Sequence, residues 1–140
     1  MAEPSAPEAQ GASRRGQRRL KRRLDRGGRA LRGDFRRLNG SIARASATDA
    51  LTDRAQALRD LARVRSSQAA LRKRLAAVEG AGTAGSRAVA AFDLFDRGFS
   101  EMGKFLRRGT TATGVKHARR AQALSARASA TLRRAYEELD

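Results

Sequence analysis

Apolar residues recur along this chain at three- and four-residue steps, which is the period of an amphipathic helix. Leu31, Phe35, Leu38, Ile42 and Ala45 form one such seam, preceded by Leu20 and Leu24. A second runs through Leu51, Ala55, Leu58, Leu61, Val64, Gln68, Leu71, Leu75 and Val78. Ser46 to Asp49 reads as the capping box that opens it, and Gly80 as the stop that closes it. A third helix is expected from about Ser86 to Arg108, along Val89, Phe92, Phe95 (or Leu94), Phe99, Met102 and Leu106. A fourth is expected from Val115 to Leu139, with a narrow seam of Ala118, Ala121, Ala128 and Ala135 among Leu124 or Ser125, Leu132 and Leu139. That seam is small enough for another helix to approach closely.

The breaks between these runs are short. Residues 80–85 and 109–114 are rich in glycine, threonine and alanine, a composition that interrupts helices. Short connections favour antiparallel neighbours. Ile occurs once and Val four times, and no alternating pattern with hairpin turn residues suggests a strand. The expected class is all-α: an antiparallel bundle or hairpin of three to four long amphipathic helices, with a basic, partly disordered N-terminal arm.

Three segments follow. Residues 1–13 read as a disordered tail, because Pro4, Pro7, Gly11 and small polar residues leave little to bury. Residues 14–38 read as a basic arm, helical at least when bound. Gly27, Gly28 and Gly33 weaken that helix by ~1 kcal/mol each relative to alanine. Residues 39–140 read as the helical bundle domain.

Charge changes the picture most. The chain has 31 Lys plus Arg against 14 Asp plus Glu, a formal charge of +17. Such a surplus repels itself and attracts polyanions. It is concentrated: residues 14–38 hold twelve basic and two acidic side chains, a local charge of +10. The basic set is Arg14, Arg15, Arg18, Arg19, Lys21, Arg22, Arg23, Arg26, Arg29, Arg32, Arg36 and Arg37. Guanidinium forks match phosphate in bidentate fashion. The preference for Arg (27, against 4 Lys) also fits a GC-rich coding bias, but that bias does not explain the missing acids. Phe35 is the one aromatic in the segment, so base stacking has little support. Contact with phosphate backbone, carrying little sequence information, is the expected mode.

Catalytic chemistry finds few candidates. There is no cysteine and a single histidine, His117, so the usual nucleophile–base pairs and zinc ligand sets are missing. Gly98 to Lys104 spells the first part of a phosphate-binding loop, G-x-x-x-x-G-K. The next residue is Phe105, where the motif needs a Ser or Thr hydroxyl for Mg²⁺, and the run lies within a helical phase. Asp93 and Asp96 are three residues apart with Glu101 nearby, and Asp93–Arg97 and Arg97–Glu101 have the four-residue spacing of surface ion pairs. No enzyme activity, cofactor or metal is expected.

The principal expectation is a binding protein that meets nucleic acid, or another acidic polymer or protein surface, through the 14–37 arginines. The alternative is a structural or adaptor subunit of a larger assembly or homo-oligomer, docking through a core or partner face made of Phe92, Phe95, Phe99, Met102 and Leu106. A membrane surface ranks lower, because the phenylalanines and the strongest charge lie on different segments. The first ten residues lack the apolar run of a secretory signal. An intracellular, cytoplasmic or nucleoid-like location is therefore expected.

Overall fold

The computed structural model describes residues 11–139. Among these residues the chain forms four helices and no strand: α1 Arg14–Thr48, α2 Leu51–Ala76, α3 Gly82–Arg108 and α4 Ala112–Leu139. They fold as a bundle in which consecutive helices turn back on one another through connections of two to five residues. Residues 1–10 of the expected disordered tail lie outside the described residues, whereas Ser13, assigned to the same tail, is held in place as the cap of α1.

Helix α1 is 35 residues long and passes through the expected boundary at 38/39 without interruption. Leu20, Leu24, Leu31, Leu38 and Ala45 are buried along one face, so the basic segment forms a wall of the bundle here. Each buried leucine contributes roughly 1.5–3 kcal/mol, a reason for so charged a helix to dock. Glycines spaced along the helix also help. Gly27 faces α2, and a Cβ there would meet the Leu71 methyls at 2.5 Å. Gly16 lies against the backbone of Gly80. At this end Ser13 caps the helix, its hydroxyl accepting the Gly16 N–H at 3.0 Å, while its own N–H donates to the Gly80 carbonyl at 2.8 Å.

The first break falls later than Ser46. Ser46 remains helical, and Asp49 ends α1 in the left-handed region at φ 53°. Asp tolerates that conformation better than most residues. Its carboxylate is also used, accepting the Thr110 N–H from the α3–α4 connection at 3.1 Å. The expected capping box is therefore replaced by Thr48, whose hydroxyl accepts the Ala50 N–H at 3.1 Å and donates to Asp53 at 2.6 Å. At the start of α2, Leu51, expected on the seam, is 74 % exposed. Helices α3 and α4 begin four and three residues earlier than expected. In α4 the Thr111 hydroxyl accepts the Gly114 N–H at 3.0 Å.

Gly114, Ala121, Ala128 and Ala135 are buried on α4 at seven-residue steps. They meet an equally small face on α3 that includes Ala84, Ala88, Ala91 and Gly98. The two helices are close enough that a Cβ on Gly98 would stand 3.3 Å from Ser125 Oγ. Size thus sorts the interior: small residues join α3 to α4, and large ones fill the space among α1, α2 and α3.

Two apolar clusters result. One gathers Leu20, Leu24, Leu31, Leu71, Leu75 and Phe92; the other gathers Leu38, Leu61, Val64, Phe99, Phe105 and Leu106. Phe35 and Phe95 pack against both. Ring centroids lie 5.8 Å apart for Phe35 and Phe99 and 6.4 Å apart for Phe95 and Phe99, within the range of favourable aromatic pairs.

The Phe stripe is accordingly mostly core. Phe92, Phe99 and Leu106 are buried, while Phe95 and Met102 are half-buried. Phe105, off the expected seam, is buried as well. None of the described helices is long and apolar enough to cross a membrane.

Candidate polyanion interface

The arginines of α1 spread around the sides of the helix that its leucines do not use. Arg15, Arg18, Arg22, Arg29 and Arg36 follow three-, four- and seven-residue steps, so they form one outward ridge and all are exposed. Arg14, Arg26, Arg32 and Arg37 are exposed beside it, whereas Arg19, Lys21 and Arg23 are half-buried. At 1.5 Å per residue, the ridge from Arg15 to Arg36 is about 32 Å long.

Among the described residues, four arginines are in ion pairs, Arg65, Arg72, Arg87 and Arg120, and all lie outside α1. On α2, Arg65 holds Asp96 of α3 at 3.0 Å and Arg72 holds Asp93 at 2.6 Å, each through a two-pronged contact. The Asp93 hydrogen bond raises the Arg72 pKa further above its usual value. Arg87 of α3 pairs with Glu138 of α4. Among the described residues, none of the eleven arginines from Arg14 to Arg37 is in an ion pair. The ion-paired carboxylates among the described residues, Asp93, Asp96, Glu101 and Glu138, lie on α3 and α4.

The α1–α2 junction adds a concave element. Arg19, Arg22, Arg23 and Arg26 of α1 converge with Arg74 of α2 around a cleft of about 470 Å³ floored by Gly27. Arg23 donates from Nη1 to the Arg74 carbonyl at 2.7 Å, satisfying one of the orphan carbonyls in the last turn of α2. Arg74 is separated from Arg23 by 51 positions in the sequence. Helical periodicity places it on α2's surface but says nothing of what faces it.

The acidic residues of α3 take partners other than those expected from i,i+4 spacing. Asp93 and Asp96 reach across to α2, not along α3 to Arg97. Glu101 turns toward α4, where its Oε1 lies 3.0 Å from His117 Nδ1 and 3.7 Å from Arg120, and its Oε2 lies 2.9 Å from Lys104. Hydrogen bonding to His117, then to Lys104, holds the Glu101 carboxyl down at about 2. His117 is buried against it. Gly98 to Lys104 lies inside α3 as continuous helix, where successive backbone N–H groups are bound within the helix and do not form a phosphate cradle. Among the described residues, no group of three or more His, Cys, Asp and Glu side chains stands close enough to hold a metal ion.

One buried polar pair was not foreseen from the sequence. Asp60 of α2 is 6 % exposed. It accepts a hydrogen bond from the Ser41 hydroxyl of α1 and another from Gln56 Nε2 at 3.1 Å.

Comparison with protein-family models, with curated proteins and with solved structures finds no match to this chain. Fold and surface therefore define its class: a four-helix bundle whose first helix carries eleven arginines between positions 14 and 37.

Proposed function

We propose that this chain is a non-enzymatic binding protein that contacts nucleic-acid phosphate backbone through the arginines of α1, with little sequence specificity. The observation that carries it is the set of eleven arginines without an ion pair among the described residues, presented by a single 35-residue helix. A duplex carries one phosphate per 3.4 Å of axis on each strand, so a ridge of about 32 Å faces several phosphates at once. Phe35 is turned inward onto Phe99 and gives the arginine surface no stacking platform. That favours backbone contact over base readout. A nucleic-acid partner also implies an intracellular location.

Binding of a mixed-sequence duplex, followed across salt concentration, tests this. Affinity should fall steeply with salt, because phosphate contacts release condensed counterions. Binding that is absent at low salt, or insensitive to salt, would sink the proposal.

A second reading has one observation in its favour. Phe35, Ile42, Phe95, Phe99 and Met102 line a groove of about 340 Å³ bounded by α1, α3 and α4. An adaptor subunit would dock a neighbour there. A monodisperse monomer with cooperative unfolding speaks against obligate assembly.

A further inference from the structure

The arginines of α1 present two shapes, a convex ridge and a concave cleft, and these suit different ligands. We propose that the α1–α2 cleft is a seat for a flexible chain of phosphates, recognised without bases: a linear polyphosphate or a single-stranded nucleic-acid backbone, but not a duplex. The inference rests on the proposed phosphate-binding role of α1 and assigns the flank of that surface facing α2, which shares Arg22 with the ridge.

Three observations support it. First, five arginines line one cleft, and among the described residues lining it there is no carboxylate. Five positive charges exceed what one phosphate balances, so the fitting ligand carries several phosphates, each able to take a guanidinium fork. Second, one of the arginines is preorganised. Arg23 is held by the Arg74 carbonyl at 2.7 Å, which uses one of its N–H donors and lowers the entropy lost when the ligand arrives. Gly27, against the Leu71 methyls, lets α1 and α2 approach closely beside the cleft. Third, the lining holds no aromatic residue, so nothing there stacks a base.

Shape excludes the duplex. Packed helices lie 8–10 Å apart, and a cleft of about 470 Å³ between two of them admits a thin chain. A duplex, whose major groove alone is ~12 Å wide, meets the convex ridge instead.

The test compares two variant pairs that remove equal charge from the full chain. Arg23→Gln with Arg74→Gln strips the cleft, and Arg29→Gln with Arg36→Gln strips the ridge. Titration calorimetry is run with a short linear polyphosphate, a single-stranded oligonucleotide and a duplex of matched phosphate number. The cleft pair should weaken polyphosphate and single-strand binding by about ten-fold or more, and the ridge pair by less than about three-fold, because the cleft supplies guanidinium forks to the ligand and the ridge only general charge. For the duplex the order should reverse. If the glutamine pair fails to fold by circular dichroism, Arg23→Lys with Arg74→Lys keeps the charge and removes the forks, and should still weaken polyphosphate binding.

Equal effects of the two pairs on polyphosphate, or binding that never saturates, would overturn the cleft. So would cleft-dependent strand binding with no polyphosphate binding, since bases would then be required. If polyphosphate binds in a cleft-dependent way while the duplex does not bind at all, the proposed duplex-binding function fails and the cleft stands.

Discussion

Glu101 on α3 and His117 on α4 are joined by a 3.0 Å contact between Oε1 and Nδ1, with the Glu101 side chain only 12 % exposed. Lys104 and Arg120 complete a small ionic cluster on the seam between the two helices.

That cluster predicts an acid-labile seam. The Glu101 carboxyl sits at about 2, against an ordinary 4.5. A depressed folded value means the unfolded chain takes up the proton first. The stabilisation is therefore complete above about pH 4.5 and drains away as pH falls toward 2. Glu101→Gln should flatten the fall in unfolding free energy within that window, followed by urea denaturation at several pH values. An acid slope identical to the parent's would show that Glu101 is not its source.

Glycines predict opposite signs at different sites on one helix. Gly28, Gly33 and Gly40 have open space where a Cβ would go, so alanine at each should stabilise by about 0.4–1 kcal/mol through helix propensity and unfolded-state entropy. At Gly16 the same change pushes a methyl into the Gly80 backbone, and overpacking of this kind costs about 1–3 kcal/mol. Thermal unfolding of the four single variants should split them three to one.

The Ser41–Asp60 pair predicts a core sensitive to a small deletion. Ser41→Ala leaves a buried carboxylate short of one partner, at a cost of about 1–3 kcal/mol. Asp60→Asn keeps a hydrogen-bonding group of the same shape and should cost less. A serine variant as stable as the parent would mean the pair contributes nothing.

The ridge predicts a change in salt dependence. Replacing Arg15, Arg18, Arg29 and Arg36 with glutamine should reduce the slope of log affinity against log salt for a duplex by about 0.9 for each phosphate no longer neutralised. Arg65→Gln removes a charge that Asp96 already engages, and should leave the slope where it was. Fluorescence anisotropy with labelled duplex resolves the two.

Much of the helical layout was legible in the chain. The seams through Leu31–Ala45 and Leu61–Leu75 predicted buried faces, because a 3.6-residue period puts those positions on one side whatever they pack against. Ends were harder. Ser46 looked like a cap by its type and spacing, but Asp49 also served the α3–α4 connection through Thr110, and that long-range hydrogen bond accompanies the break two to three residues later. The ion pairs were misassigned for a similar reason: i,i+4 spacing offered Arg97 to Asp93, while α2 brought Arg72 within 2.6 Å. The arginine segment was visible, but not its use as a wall of the bundle.

By itself the sequence determined an all-helical chain, four amphipathic runs and a concentration of positive charge between residues 14 and 38. These are local properties: propensity, period and composition act within a few turns. Only the tertiary structure decided which charges survive. Arg65, Arg72 and Arg87 are neutralised because carboxylates of neighbouring helices reach them. Arg23 meets Arg74 because glycine at position 27 lets two helices close together. Coulomb interaction depends on distance in space, and no spacing along the chain supplies that distance.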